Sequence, residues 1–487
     1  MPDTHLSRIY QTDFGLFTDL YQLTMAYGYW KTGWYRRRAV FHLFFRKSPF
    51  GGQYAVCAGL ALAIDFLKKL RFSQEDIQYL GGLTGANDQP LFDESFLNHL
   101  QRMQFNCTID AIPEGTIVFP NQPLLRVEGP LIQCQLIETV LLNLVNFSTL
   151  VATKSARIVQ AAQGDSVLEF GFRRAQGIDG SITATRAAYI GGCHATSSVI
   201  AGRLYGIPVK GTHAHSWVMC FDDELAAFEQ YAKALPNNCI FLVDTYDTIE
   251  GVHHAVEVGR QLRRQGHELQ GIRLDSGDLA ELSKKARRIL DEGGFPDAAI
   301  LASNELDEYR IGKLKEQGAR ITVWGVGTRL ATGYDQPALG GVYKLSAIQD
   351  ENGQWEGRIK LSEQEIKISN PGIQQVRRLL DANGLPVGDL IYDTRGPEPG
   401  GALWCYGDGQ MASLAYSSYE DLLIPVFQEG QLVYDSPSIG DIRALSLQQQ
   451  QLFGPKVLTD YPNGLARELF GRKKEMMKEL AANKSDL

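Results

Sequence analysis

Residues 271–291 read GIRLDSGDLAELSKKARRILD, and the order of apolar and polar residues in them decides the fold class. A short run, 271–274, predicts a strand. The polar turn Asp275-Ser276-Gly277-Asp278 follows, and 279–291 predicts a helix. The same unit recurs on both sides. Apolar runs stand at 167–170, 207–209, 240–243, 299–301 and 321–324, and helical stretches at 193–205, 216–234, 249–265 and 307–317. Strand starts separated by roughly 20 to 40 residues have the spacing of successive βα units. Strand alternating with helix implies a parallel sheet, either doubly wound or closed into a barrel.

The polar residues choose between these. Just past the carboxyl ends of the runs stand Arg173 and Arg174, then Thr212, His213 and His215, then Asp244 and Thr245, then Arg273, Asp275 and Ser276, then Ser303 and Asn304, then Gly325 and Gly327. In a β/α barrel the active site lies at that rim, whatever the chemistry. The expectation is an α/β protein with an irregular β/α barrel of six clear strands, and 341–345 as candidate seventh. The barrel should occupy 135–345, after an N-terminal α/β domain over 1–134. Beyond it, 346–487 loses the regularity, and 346–400 either returns to the N-terminal domain or opens a third.

Composition removes other classes. The 487 residues are 44% hydrophobic and 21% charged, with 49 Gly and 19 Pro, which is ordinary for globular domains and wrong for a disordered or collagen-like chain. A net charge of −8 argues against a nucleic-acid partner, since phosphate backbones demand excess Lys and Arg. The seven Cys are scattered without a CxxC, which favours a reducing, cytoplasmic setting over disulfides or structural metal. No apolar run reaches the ~18–20 residues of a membrane span. The start Met1-Pro2-Asp3-Thr4 lacks the basic and apolar regions of a signal peptide.

Four segments carry chemistry. Gly325-Val326-Gly327-Thr328 follows a strand, where glycines let backbone N–H groups close on a phosphate; a tight strand exit reads the same way. Arg273 and Asp275, two apart on a strand, share a face and can grip an anion and sugar hydroxyls, with Asp278 the better helix cap. His213 and His215 stand at a strand exit, suited to acid–base work or phosphoryl acceptance; no further ligand at zinc spacing accompanies them. Phe170 with Arg173 offers an aromatic face and a guanidinium to a flat anionic ring. The histidines at 42, 99, 253, 254 and 267 read as structural.

These segments together resemble the nicotinate phosphoribosyltransferases, of the type II phosphoribosyltransferase family. The resemblance rests on FTDLYQLTMAYGYW (17–30), FGFRRAQGIDG (170–180), GTHAHSW (211–217), RLDSGDL (273–279), ASNELDE (302–308) and WGVGT with QPALGGVYKL (324–345). It implies an N-terminal sandwich-like α/β domain, an irregular barrel, a C-terminal extension and a head-to-tail homodimer with shared active sites. It also implies that nicotinate and 5-phosphoribosyl-1-pyrophosphate (PRPP) become nicotinate mononucleotide and pyrophosphate, with ATP as co-substrate and Mg²⁺ as cofactor.

By the same resemblance Arg273 holds phosphates and Asp275 ribose hydroxyls. Thr212 belongs to the substrate-binding set, and Ser303, Asn304, Gly325, Gly327 and Thr328 take the 5′-phosphate. Phe170 and the partner's Tyr21 sandwich the pyridine ring, with Arg173 at its carboxylate. His215 is the histidine phosphorylated by ATP, and His213 falls where the family varies. The rival is the nicotinamide-using sibling, which sets an acidic residue against the amide in the stretch read here as Gly192-Cys193-His194; no carboxylate stands there. An aldolase or isomerase would need a Schiff-base Lys or general-base Glu at a strand end, and neither is found.

Overall fold

The computed structural model describes residues 13–364, 367–454, 458 and 461–485; the chain start Met1–Thr4 lies outside them. The chain divides into two compact units: 1–149 with 339–438 and 448–487, and 150–338 with 439–447.

In the second unit, strands and helices alternate as β1 (Ser166–Glu169), α1 (Ile178–Ile190), β2 (Ala195–Thr196), α2 (Val199–Tyr205), α3 (His215–Met219), α4 (Glu224–Ala234), β3 (Ile240–Leu242), α5 (Thr248–Arg264), β4 (Gly271–Leu274), α6 (Leu279–Glu292), β5 (Ala299–Ala302), α7 (Glu308–Glu316), β6 (Val323–Val326) and α8 (Thr328–Ala331). The sheet order is β2-β1-β6-β5-β4-β3, all parallel. The first strand pairs with the last, Ser166 opposite Val323 and Glu169 opposite Val326, so the strands follow the cyclic order of a barrel with β2 and β3 as its two edges. A further parallel bridge sets Val209 beside Thr196 on β2. Among the described residues no ladder joins that segment to β3, so the barrel has one open seam.

Both faces of these strands are covered, hence their near-continuous apolar runs: Phe241, Leu242, Ile272, Leu274, Ile300, Leu301, Trp324 and Val326 are all buried. The helices begin where aspartates cap them. Asp278 accepts from the amides of Ala280 and Glu281 at 3.1 and 3.2 Å, and Asp247 and Asp307 cap α5 and α7 in the same way. That separates Asp278, a cap, from Asp275 at the rim.

Four expectations need correction. The stretch 193–205 opens as strand β2 rather than helix, and 178–190, not anticipated as an element, is helix α1. The stretch 216–234 breaks at 220–223, where Asp223 caps α4. The candidate seventh strand belongs to the other unit: Gly341–Gln349 pairs antiparallel with Arg38–Phe45. The expected strand at 207–209 is likewise reduced to a single isolated bridge at Val209, because past it the chain turns away from β2 into the rim.

In the first unit a seven-stranded sheet holds Arg38–Phe45 between Gly341–Gln349 and Leu125–Pro130. A six-stranded sheet centres on Gln374–Leu380, Pro386–Asp393 and Asn463–Ala466. Strand Ile424–Gln428 pairs back to Thr108–Ala111. The chain after 345 therefore returns largely to this unit, while Arg443 donates to the carbonyls of Gly192 and Cys193 in the barrel unit at 2.9 and 3.0 Å. Among the described residues no helix is long and apolar enough to cross a membrane.

Candidate active site

Parallel strands end together, so residues far apart in sequence meet at the barrel's carboxyl rim. Arg273 stands at its centre. Its Nε donates to Ser303 Oγ at 2.8 Å, Nη1 to Thr212 Oγ1 at 3.0 Å and Nη2 to Asp275 Oδ1 at 2.9 Å. Ser303 Oγ also donates to Asp275 Oδ1. The guanidinium is thus oriented from three sides, which pre-organises its remaining N–H groups.

Asp244 was read as rim polarity but not as a site residue, and the structure gives it more. Its Oδ2 accepts from Asp275 N at 2.8 Å and Ser276 Oγ at 2.7 Å. Its Oδ1 is buried without a hydrogen-bond partner and lies 3.8 Å from His215 Nε2. The other carboxylate facing that nitrogen is Asp275, at 3.9 Å. His215 Nδ1 is 3.2 Å from Thr245 Oγ1. The half-exposed imidazole therefore sees a hydroxyl at one nitrogen and two carboxylates at the other. The sequence signal was available: Asp244 and Thr245 sit at a strand end.

His213 faces inward. It is buried among Phe228, Tyr231 and Phe241, and burial pushes its pKa down to about 4, with Arg273 and His215 adding a smaller push the same way and an Ala214 backbone contact opposing it. His254 pairs with buried Glu224 at 3.0 Å, in keeping with a structural reading.

On the other side of the rim, Phe170 N donates to Val326 O at 2.8 Å. The Phe170 ring lies so close to Gly325 that a Cβ there would come within 2.7 Å of it, and a Cβ on Gly327 would meet Phe170 O at 3.1 Å. These glycines make room for the aromatic ring as well as for any anion. Thr328 opens α8. Asn304, with φ +87°, and Glu305, with φ +49°, turn the loop after β5 in the left-handed region, uncommon for side-chain-bearing residues and tolerated best by Asn.

Glu169 was not anticipated. Buried at the end of β1, it accepts from Gly171 N, from Thr185 Oγ1 at 2.9 Å and from Thr196 Oγ1 at 2.6 Å. One carboxylate thereby ties α1 and β2 to the turn that presents Phe170 and Arg173, whose guanidinium is exposed. The rim after β2 is Thr196-Ser197-Ser198, with Ser197 exposed. The stretch 192–194 precedes β2 and so lies at the strand's opposite end, which corrects the place at which a substrate-discriminating carboxylate would be sought. At the rim stretch, too, no carboxylate stands.

Tyr21 belongs to the other unit, on helix Leu20–Lys31. It is half exposed and its hydroxyl accepts from Gln22 Nε2 at 3.3 Å; burial, then Glu138, raises its pKa. Among the described residues no three His, Cys, Asp or Glu are grouped to hold a metal.

The chain was compared with known proteins. Residues 16–146 match the nicotinate phosphoribosyltransferase (NAPRTase) N-terminal domain, 166–357 the nicotinate phosphoribosyltransferase (NAPRTase) family, and 373–459 the nicotinate phosphoribosyltransferase C-terminal domain. A nicotinate phosphoribosyltransferase of Bacillus subtilis is 43% identical over 476 residues, covering 96% of this chain and 95% of the relative. The one of Homo sapiens is 36% identical, covering 88% and 90%. The crystal structure of human nicotinic acid phosphoribosyltransferase superposes with a TM-score of 0.82 at 33% identity, over 94% of this chain and 99% of that one. A nicotinate-nucleotide pyrophosphorylase from Pyrococcus furiosus, at TM-score 0.68 and 22% identity, shares the fold.

Proposed function

Because the chain belongs to the nicotinate phosphoribosyltransferase family, we propose that its barrel rim is where nicotinate and PRPP react. The chain is an enzyme that joins the two to give nicotinate mononucleotide and pyrophosphate. The observation that carries the assignment of the site is the linked set Thr212, Arg273, Asp275, Ser303, Asp244 and His215 at the ends of successive strands. Loss of pyrophosphate leaves positive charge on the ribose ring, so the protein needs to position and to stabilise charge rather than supply a nucleophile to carbon.

In this reading Arg273 meets the pyrophosphate with its unused N–H groups. Asp275 takes ribose hydroxyls, and Ser303, Asn304 and the 325–328 turn receive the 5′-phosphate. Phe170 stacks on the pyridine, Arg173 pairs with its carboxylate, and the partner subunit's Tyr21 closes the other face in a homodimer. Mg²⁺ would enter as the counter-ion of PRPP and ATP and would neutralise the leaving pyrophosphate, with the rim carboxylate of Asp275 as the protein group that would hold it.

ATP phosphorylates His215. Asp244 Oδ1 lies unpartnered 3.8 Å from Nε2; on a small approach of the ring when ATP binds it accepts the Nε2 proton's hydrogen bond, which leaves the lone pair on Nδ1. Nδ1 then takes the γ-phosphoryl as ADP leaves, and the phosphoryl passes later to water. Asp244→Asn should slow phosphohistidine formation by about a hundredfold or more, as misplacing a catalytic proton does; an unchanged rate would return Asp244 to a structural role.

The decisive assay incubates purified protein with PRPP and Mg²⁺, with nicotinate or nicotinamide, with and without ATP. Product should form from nicotinate, faster with ATP, and His215→Ala should keep only slow, ATP-independent synthesis without ATP hydrolysis. Equal turnover of both bases would overturn the substrate reading, and phosphate mapped to His213 would overturn the choice of histidine.

A further inference from the structure

We propose that His213 is a positioning residue that stands in for the missing ladder at the barrel's open seam and thereby holds the segment bearing Thr212 and His215 against the rim. The inference deepens the reading above and rests on it for the role of His215.

A parallel strand directs alternate amides to opposite edges. In β3 one edge is used: Leu242 pairs with Arg273 of β4 in register, and Val243 N donates to Arg273 O at 3.2 Å. The other edge faces the seam, and the amide of Leu242 there is buried. Its partner is a side chain: Leu242 N donates to His213 Nε2 at 3.2 Å. The segment bearing His213 is attached on its far side by backbone, with Thr196 N donating to Pro208 O at 3.0 Å and Lys210 N to Thr196 O at 2.9 Å. Past Lys210 the backbone pairing to β2 ends, and the imidazole bridges to β3 instead.

Only the neutral ring can do this, because Nε2 must offer a lone pair to an N–H. The surroundings hold it neutral. Its faces meet Phe228 and Tyr231 of α4 and Phe241 of β3, the Arg273 guanidinium lies nearby, and burial brings its pKa down to about 4. Nδ1 is 3.4 Å from Ala214 O, which suits the Nδ1–H tautomer.

The bridge lands beside the chemistry. Leu242 is the ladder neighbour of Arg273, which donates to Thr212 Oγ1 at 3.0 Å. Two consecutive residues, 212 and 213, are thus fastened to two adjacent strands, and His215 follows with Nδ1 at 3.2 Å from Thr245 Oγ1. Losing the acceptor at 213 frees one fastening and leaves the Phe170 and Arg173 side of the rim untouched.

Three variants test this in the full-length enzyme. His213→Phe keeps an aromatic of similar shape without an acceptor. His213→Gln places a carbonyl oxygen at about the reach of Nε2, and His213→Asn falls short of it. His213→Phe should lower kcat about tenfold or more, with and without ATP, while KM for nicotinate changes by less than about twofold. Hydrogen exchange at the Leu242 amide should quicken in parallel. Gln should restore both to within about threefold of the parent, and Asn should not. A general loss of stability would not give this order, since Phe fills the apolar pocket better than Gln.

A Phe variant with parental kcat, a Leu242 amide as protected in Phe as in the parent, or Gln no better than Phe would each overturn the proposal. If the parent carries no phosphate on His215, the coupling mechanism fails, while ATP-independent kcat and the Leu242 amide still judge His213.

Discussion

His213 titrates below its ordinary value of 6.5, at about 4, chiefly because it is buried, and this makes a stability prediction with a definite sign. As pH falls below 6.5 the unfolded chain binds the proton first, so the contribution is whole above that pH. It shrinks as pH falls and is lost once pH passes below the folded value near 4. A shift of that size corresponds to about 3 kcal/mol. Urea unfolding of the parent should therefore lose stability more steeply between pH 6.5 and 4.5 than that of His213→Gln; equal slopes would show that the ring titrates normally. At the opposite side of the rim, Arg173→Ala should cost about 2–5 kcal/mol of transition-state binding with nicotinate, read as a fall in kcat/KM. Ser197→Asp, which sets a carboxylate at the rim after β2, should also penalise nicotinate, and an unchanged kcat/KM would remove Ser197 from the neighbourhood of the base. These residues were legible to different degrees. Arg273, Asp275, His215 and Arg173 were legible as rim polarity past strand ends, while the choice of His215 over His213 came from the family resemblance alone. Glu169 sits one residue before Phe170, inside the apolar run 167–170, and gave no signal of its own, because which way it points depends on Thr185 and Thr196 being near.

Elements read well where the pattern is local and poorly where it is not. The run Gly271–Leu274 has the bounds expected of it, since a Gly and a polar turn punctuate it. Strand β2 has two residues, too few for any period. The run 341–345 was legible as a strand, yet it is part of Gly341–Gln349, whose partner is Arg38–Phe45; β propensity is a property of a segment, and the choice of partner is a property of the whole chain. The same holds for the buried pair across the hairpin Gln374–Leu380 and Pro386–Asp393. Arg378 stands opposite Asp389 in register and donates to it through Nε and Nη2 at 2.9 and 2.8 Å, with Gln122 and Tyr461 also donating to Asp389. Asp389→Ala should destabilise by about 3–5 kcal/mol, because it strands a buried guanidinium, whereas Arg378→Met with Asp389→Leu should recover much of that. Chemical denaturation measures both; a double variant as weak as the single would mean that the pair's attraction exceeds its desolvation.

For the whole molecule, the prediction concerns assembly. If the partner subunit's Tyr21 closes each site, a heterodimer of Tyr21→Ala and Arg173→Ala chains has one doubly damaged and one intact site, as twofold symmetry requires. Co-expressed chains that pair at random form heterodimers about half the time, so roughly a quarter of the parental activity should return. Tagged heterodimers that stay as inactive as the two homodimers would place Tyr21 in its own subunit or outside the site.

By itself, the sequence determined the fold class, the strand ends that bear polar residues and the family, because alternation of apolar runs with helices and six ordered blocks are patterns along the chain. Tertiary structure alone decided that the first strand pairs with the last, that one seam stays open, and that the stretch 192–194 lies at the wrong end of β2 to touch a substrate. It alone decided the orphan oxygen of Asp244 and the use of His213 Nε2 as a backbone's partner. Each of these depends on which buried hydrogen-bonding groups are left over once the strands have paired, and that remainder exists only after the chain has folded.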